Sequence, residues 1–194
     1  MKRGHTLAVA LILILASCGG GEPATDEAAP SGEAAPAETG GAATLTMPSW
    51  YQHDAGANTV GLAITAGATN ANNYWNFNGF SSGGATVVVP VGATVTVNFS
   101  NQDPNMAHSI GVASFTSNPP AMLEPSPVFE GAITSNAGDM MNATGTGASE
   151  TITFTADAAG DYALACFVAG HAVAGMWIHF QVSDAGEAGV LEGM

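Results

Sequence analysis

Apolar and polar residues alternate with a period of two along most of the chain. In 94–99, Val95, Val97 and Phe99 share one face and Thr94, Thr96 and Asn98 the other; Ile152 and Phe154 alternate in the same way with Thr151, Thr153 and Thr155. Side chains in an extended strand point to opposite faces in turn, so this pattern marks strands with one buried face. Strands are expected at 58–66, 74–79, 85–89, 94–100, 108–114, 150–156, 161–167 and 176–183, separated by Gly, Pro, Asn and Asp punctuation. Beyond the N-terminus no segment sustains a 3.6-residue apolar period. Many short strands without helices predict an all-β fold, a Greek-key sandwich or barrel. One connection stands apart. Residues 115–149 span about 35 positions, where compact domains rarely leave more than roughly 12–15 without regular structure. It contains Pro119, Pro120, Pro125 and Pro127 with Met122, Met140 and Met141, and is expected to lie over one end of the sandwich with a short helical turn.

The ends of the chain break the alternation. Lys2 and Arg3 precede an apolar run from Leu7 to Ala16, the layout of a secretion signal and too short for a membrane span of about 20 residues. The run closes on Leu15, Ala16, Ser17, Cys18 and Gly19, which resembles the lipobox of bacterial lipoproteins, where cleavage precedes the Cys and that Cys is lipidated. From Gly19 to about Gly41 the sequence is Gly, Ala, Pro, Glu, Asp, Ser and Thr, a composition that cannot bury a core and reads as a solvated tether. The expected organisation is a signal over 1–17, a lipidated Cys and tether over 18–43, a folded domain over 44–184 and a C-terminal tail over 185–194. The protein is then exported and anchored to the cell membrane or outer membrane, facing the periplasm or exterior.

Charge narrows the partners. The 194 residues include sixteen acidic and two basic side chains, for a formal net charge of −14. Affinity for phosphate backbones comes largely from Lys and Arg, so nucleic-acid binding is excluded, and a basic patch on an anionic membrane likewise. At 46% hydrophobic and 9% charged, the composition is that of a folded domain, not a disordered acidic chain. Both cations fall in the signal, which leaves the mature chain with sixteen acids, no Lys or Arg, and a charge near −16. A monomer is expected.

Cysteine usage points to the chemistry. With Cys18 lipidated, Cys166 is the single remaining thiol of an exported chain, and it sits where Tyr162, Leu164 and Cys166 share the inward parity of a strand. His171 follows five residues later and Met176 five after that, each directly preceded by a Gly that permits a tight turn. One loop thus offers thiolate, imidazole and thioether to one point. Thiolate and thioether are soft ligands, and His₂Cys with a weak axial Met is the blue-copper set, whereas zinc sites recruit no Met. For the second imidazole, His108 shares inward parity with Ile110 and Val112; His179 alternates with Trp177 and Gln181 on the outer face, and His53 lies in a polar stretch.

These residues carry a resemblance. Cys-x4-His-x4-Met with Gly before both His171 and Met176, together with 73–79, Val87 to Gly92 and Gly175-Met176-Trp177, resembles the cupredoxins of the sulfocyanin and rusticyanin type over roughly 58–183. The resemblance implies one copper ion cycling between Cu(I) and Cu(II) on His108, Cys166, His171 and Met176. Ser109 stands where many cupredoxins carry an Asn that ties the ligand loops together, which implies a different hydrogen-bonding pattern beside the Cys166 sulfur. It also implies that the ring edge of His171 approaches the surface and that Ala172, Val173 and Ala174 form the docking patch. The expected function is a non-enzymatic electron carrier, passing single electrons between respiratory redox partners such as a cytochrome or terminal oxidase with a basic docking face. The competing reading is a copper-storage or copper-delivery lipoprotein using the loop methionines, with Met106 close to His108. A multicopper enzyme would need more histidines than His53 and His179 provide, and a purely structural sandwich would bind no metal.

Overall fold

The computed structural model describes residues 44–193. Cys18, the tether and the signal lie outside them. Nine strands follow one another along the chain: β1 Tyr51–Asp54, β2 Thr59–Ala66, β3 Ala85–Pro90, β4 Ala93–Asn101, β5 Gly111–Ser114, β6 Ser149–Ala156, β7 Gly160–Ala165, β8 Trp177–Ser183 and β9 Gly189–Glu192. They form two sheets, ordered β1-β2-β4-β6 and β5-β7-β8-β3-β9. The β2/β4 and β3/β8 pairs are parallel and the rest antiparallel; β1/β2 and β7/β8 are consecutive strands, while the other sheet neighbours are joined by crossovers between the sheets, as in Greek-key sandwiches.

Alternation decides which residues fill the space between the sheets. Val95, Val97 and Phe99 of β4 are buried while Thr94 and Asn98 stay exposed, and β6 repeats this with Ile152 and Phe154. Each such side chain removed from water contributes about 1.5–3 kcal/mol. The core is dominated by Phe77, Phe99, Phe180, Leu62, Ile64, Ile110, Leu164 and Ile178. Strand β3 is buried along its whole length because β8 and β9 flank it and both of its faces are covered.

Three expectations change. Residues 74–79 do not form a strand: Asn72, Asn73 and Tyr74 take φ of 48, 55 and 66°, and a short 3₁₀ turn covers Ala71–Tyr74. Alternation of aromatic residues with Asn mimics a strand, but Asn tolerates the left-handed region and breaks it. The stretch expected as a C-terminal tail holds a strand: β9, Gly189–Glu192, pairs with β3 and buries Val190 completely. Strand β5 begins at Gly111, leaving His108 on an isolated bridge to Thr144. The connection 115–149 forms no helix, but it holds a short helical turn closed by Ala143 N–H donating to the Asp139 carbonyl at 2.9 Å. It drives Phe129 and Ala132 into the core, and its Leu123, Ile133 and Ala137 cover the outer face formed by Ala113, Ala163, Ala165, Phe167 and Trp177.

Candidate metal centre

Strand pairing delivers the donors to one place. Gly111 of β5 lies opposite Ala165 of β7, so the residues just beyond each strand end, His108 to Ile110 and Cys166 to Phe167, meet at the same end of the sandwich. Gly111 makes that approach possible: a Cβ there would lie 2.8 Å from the Phe167 ring. Ala165 pairs in turn with Trp177 of β8, and the loop between them is closed by the Cys166 N–H donating to the Met176 carbonyl at 3.0 Å. Inside the loop, His171 N–H donates to Val168, and Met176 N–H to His171. Gly170 and Gly175 adopt φ of 85 and 98°, as the tight turns before His171 and Met176 demand.

The result is a buried triangle. His108 Nδ1 and His171 Nδ1 are 3.1 Å apart, with Cys166 Sγ 3.4 Å from His171 Nδ1 and 3.9 Å from His108 Nδ1. All three residues are 0% exposed, and among the described residues they form the one cluster of His, Cys and carboxylate groups suited to a metal ion. Met176 is equally buried, in the same core cluster as Cys166.

Hydrogen bonds around the triangle set its proton inventory. The carboxylate of Asp103, itself buried, accepts from His108 Nε2 at 2.8 Å, which turns the lone pair of Nδ1 toward the cluster. Ser109 N–H donates to Cys166 Sγ at 3.4 Å, and Ser109 Oγ lies 3.6 Å from the same sulfur. Because Ser109 Oγ accepts the Phe167 N–H at 2.9 Å, its own hydrogen is free to point at the sulfur. Burial pushes the Cys166 thiol up, with the Ser109 hydrogen bonds opposing. Burial also lowers His108, against the hydrogen bond and charge of Asp103. His171 falls to about 4, first through burial and then through repulsion from His108. The metal-free site thus favours neutral imidazoles and a protonated thiol.

Trp75 covers the cluster. Its ring stacks on His171 with centroids 4.1 Å apart and planes inclined by 22°. The left-handed segment that carries it is tied to the ligand loop by Asn72 Nδ2, which donates to the carbonyls of Trp75 and Ala174. His171 Nε2 is buried without a hydrogen-bond partner, as is Trp75 Nε1.

The residues fit a copper ion. Metal bonds of about 2.0–2.3 Å to nitrogen and sulfur suit a triangle with these edges. The donor set is soft, and two Nδ1 atoms at 3.1 Å otherwise require a proton between them. The sequence had singled out all four of these side chains, and tertiary structure brings them to one end of the fold.

Other expectations are corrected. The His171 ring edge does not approach the surface, because Trp75 lies over it. Ala172 is buried at 3% exposure, so of the three patch residues only Val173 and Ala174 face solvent. The loop methionines Met122, Met140 and Met141 are exposed, and Met106 is half-buried with its carbonyl held by Asn101. His179 stays on the outer sheet face against Phe115 and Trp177, and His53 lies on β1 and is not part of the cluster. Asp103 went unnoticed because an acid in a Pro-Asn turn reads as a solvated residue.

A Greek-key sandwich that holds two buried histidines and a cysteine in a triangle at one end, with a buried methionine on the same loop, defines a cupredoxin, the class of type 1 copper proteins. Within that class the chain belongs to the sulfocyanin family: the sulfocyanin (SoxE) domain matches residues 48–188. Sulfocyanin of Sulfolobus acidocaldarius is 36% identical over 123 residues, 61% of each chain, so the chain spans about three fifths of that relative's length. Among solved structures, dithionite-reduced auracyanin from Roseiflexus castenholzii is similar at 26% identity and a TM-score of 0.42, covering 62% of this chain and 94% of its own. Reduced rusticyanin is similar at 26% identity and a TM-score of 0.42, covering 65% and 85%.

Proposed function

We propose that this protein is a type 1 copper electron carrier, exported, lipid-anchored through Cys18, and passing single electrons between redox partners at a membrane surface. The buried His108–Cys166–His171 triangle carries the reading. His108, Cys166 and His171 would hold the ion with Met176 as a weaker donor, and copper would supply there a one-electron couple between Cu(II) and Cu(I).

The chain's own residues do the rest. Both histidines and the cysteine are immobilised by packing and loop hydrogen bonds, so the ligand set keeps one arrangement in both oxidation states. Ser109 directs two hydrogen bonds at the sulfur and withdraws charge from it. Trp75 excludes water from His171. The docking patch consists of Val173 and Ala174 together with the outer side of Trp75, uncharged and able to release a partner after each transfer. The partner is a cytochrome or terminal oxidase with a basic face, since the described residues hold acids and no Lys or Arg.

Added Cu(II) should give the purified protein an intense visible thiolate-to-copper absorption that Cys166→Ala abolishes. A colourless wild type would sink the reading. Exposure of Met122 at 71% and Met141 at 84% favours a second reading, copper delivery through surface thioethers. Reversible one-electron voltammetry of the blue protein supports the carrier, and its absence supports delivery.

A further inference from the structure

Asp103 is a carboxylate buried to 1% exposure and, by its contact with His108, a partner in the one ion-pair geometry among the described residues. Taking a carboxylate out of water is costly, and a polar or apolar side chain of similar size serves folding as well or better. The surroundings of Asp103 are nevertheless built to hold it. Its N–H donates to Asn101 Oδ1 at 2.9 Å, and its carbonyl accepts from Thr146 Oγ1 at 2.8 Å. Its Oδ1 accepts the Asn105 N–H at 2.8 Å, which leaves Oδ2 for His108 Nε2 at 2.8 Å. Asn101, whose amide nitrogen holds the carbonyls of Met106 and Thr144, fixes the same turn from the other side. Gly67 packs so closely that a Cβ there would lie 2.6 Å from the Asp103 nitrogen. The residue is held through its N–H, its carbonyl and Oδ1, and its Oδ2 is aimed at one ring nitrogen.

We infer that Asp103 is the positioning residue of the metal centre: it fixes His108 as the Nε2–H tautomer and, through its negative charge, biases bound copper toward Cu(II). The inference deepens the electron-carrier reading and rests on it. Two effects act together. Accepting the Nε2 proton orients the ring and makes Nδ1 a stronger donor, as carboxylate partners of metal-bound histidines do. A fixed negative charge in a buried site also stabilises the more positive oxidation state more than the less positive one. Both effects lower the reduction potential, opposing the sulfur-directed hydrogen bonds of Ser109. The site therefore carries two levers of opposite sign, Asp103 acting on His108 and Ser109 on Cys166.

Asp103→Asn removes the charge and keeps the size: its amide oxygen can still accept the His108 Nε2 proton, while its NH2 replaces the oxygen that accepts the Asn105 N–H. In the copper-loaded full chain, Asp103→Asn should stay blue and lose about tenfold in Cu(II) affinity, within the 10–100-fold range of such partners, while Cu(I) affinity changes little. That differential raises the potential by about 59 mV for a one-electron couple. Equal losses for Cu(II) and Cu(I), or a potential unchanged from wild type, would overturn the inference. A metal-free arm reads the pairing directly: ¹⁵N NMR of the imidazoles in wild-type apoprotein should show His108 protonated at Nε2, with a low-field proton that weakens in Asp103→Asn. An Nδ1–H tautomer for His108 in wild type would also overturn it. Failure of the copper reading itself shows separately, as a colourless wild type.

Discussion

At the scale of single residues, the site is a set of groups held in the protonation states that metal binding needs. His171, lowered to about 4, binds a proton less readily folded than unfolded, where its value is near 6.5. Its contribution to stability is therefore complete above about pH 6.5 and lost as pH falls toward 4, and His108 is shifted in the same direction. Thermal melts of the copper-free protein should show a falling Tm over that window, and His171→Gln should flatten the dependence. Copper occupying Nδ1 competes with the proton, so the loaded protein should keep its Tm to lower pH. Ser109→Ala removes one donor to the sulfur and leaves the Phe167 N–H without its acceptor. It should cost about 1–3 kcal/mol in denaturant unfolding and move the potential negative by voltammetry, opposite in sign to Asp103→Asn.

Elements supply precision that no single side chain has. The ligand loop closes because Cys166 and Met176 pair at the roots of β7 and β8, and because Gly175 reaches a φ of 98° where a Cβ would collide with Ser82 Oγ. Gly175→Ala combines left-handed strain with that collision. It should destabilise the fold by about 1–3 kcal/mol and displace Met176, read as a shift in the visible copper spectrum. The segment carrying Trp75 is the second such device: three consecutive left-handed residues lift its ring onto His171. Trp75→Ala should expose the imidazole and speed copper extraction by a chelator about tenfold or more, a cavity-and-solvent effect; Trp75→Phe should stay near wild type. Here alternation misled, since the Asn and aromatic pattern of 73–79 has the period of a strand while Asn72, Asn73 and Tyr74 take dihedrals that no strand uses. Strand β9 escaped for the opposite reason. Its Val190 and Leu191 are too few to show a period, and only pairing with β3 makes them a strand.

Across the whole molecule, charge is the dominant long-range property. The described residues include eleven acids and no Lys or Arg, so like charges repel at neutral pH with no cationic side chains except histidine to offset them. Added salt screens this over a Debye length of about 8–10 Å, and the Tm of the domain should rise with sodium chloride at pH 7. The same field should steer a basic partner. Electron transfer with a basic cytochrome c, followed by stopped flow, should slow as ionic strength rises, and a rate indifferent to salt would remove the proposed basic docking face.

The sandwich class, the loop from Cys166 to Met176 and its preference for copper were legible along the chain. Strand alternation and ligand spacing are local properties, and a Gly before each ligand is a local requirement of its turn. His108 was reachable too, through its parity with Ile110 and Val112. Asp103 beneath His108, Trp75 over His171, the burial of Ala172 and the return of 189–192 to β3 were decided only by the fold. Each depends on which distant segments meet, and that is set by packing two twisted sheets into one core.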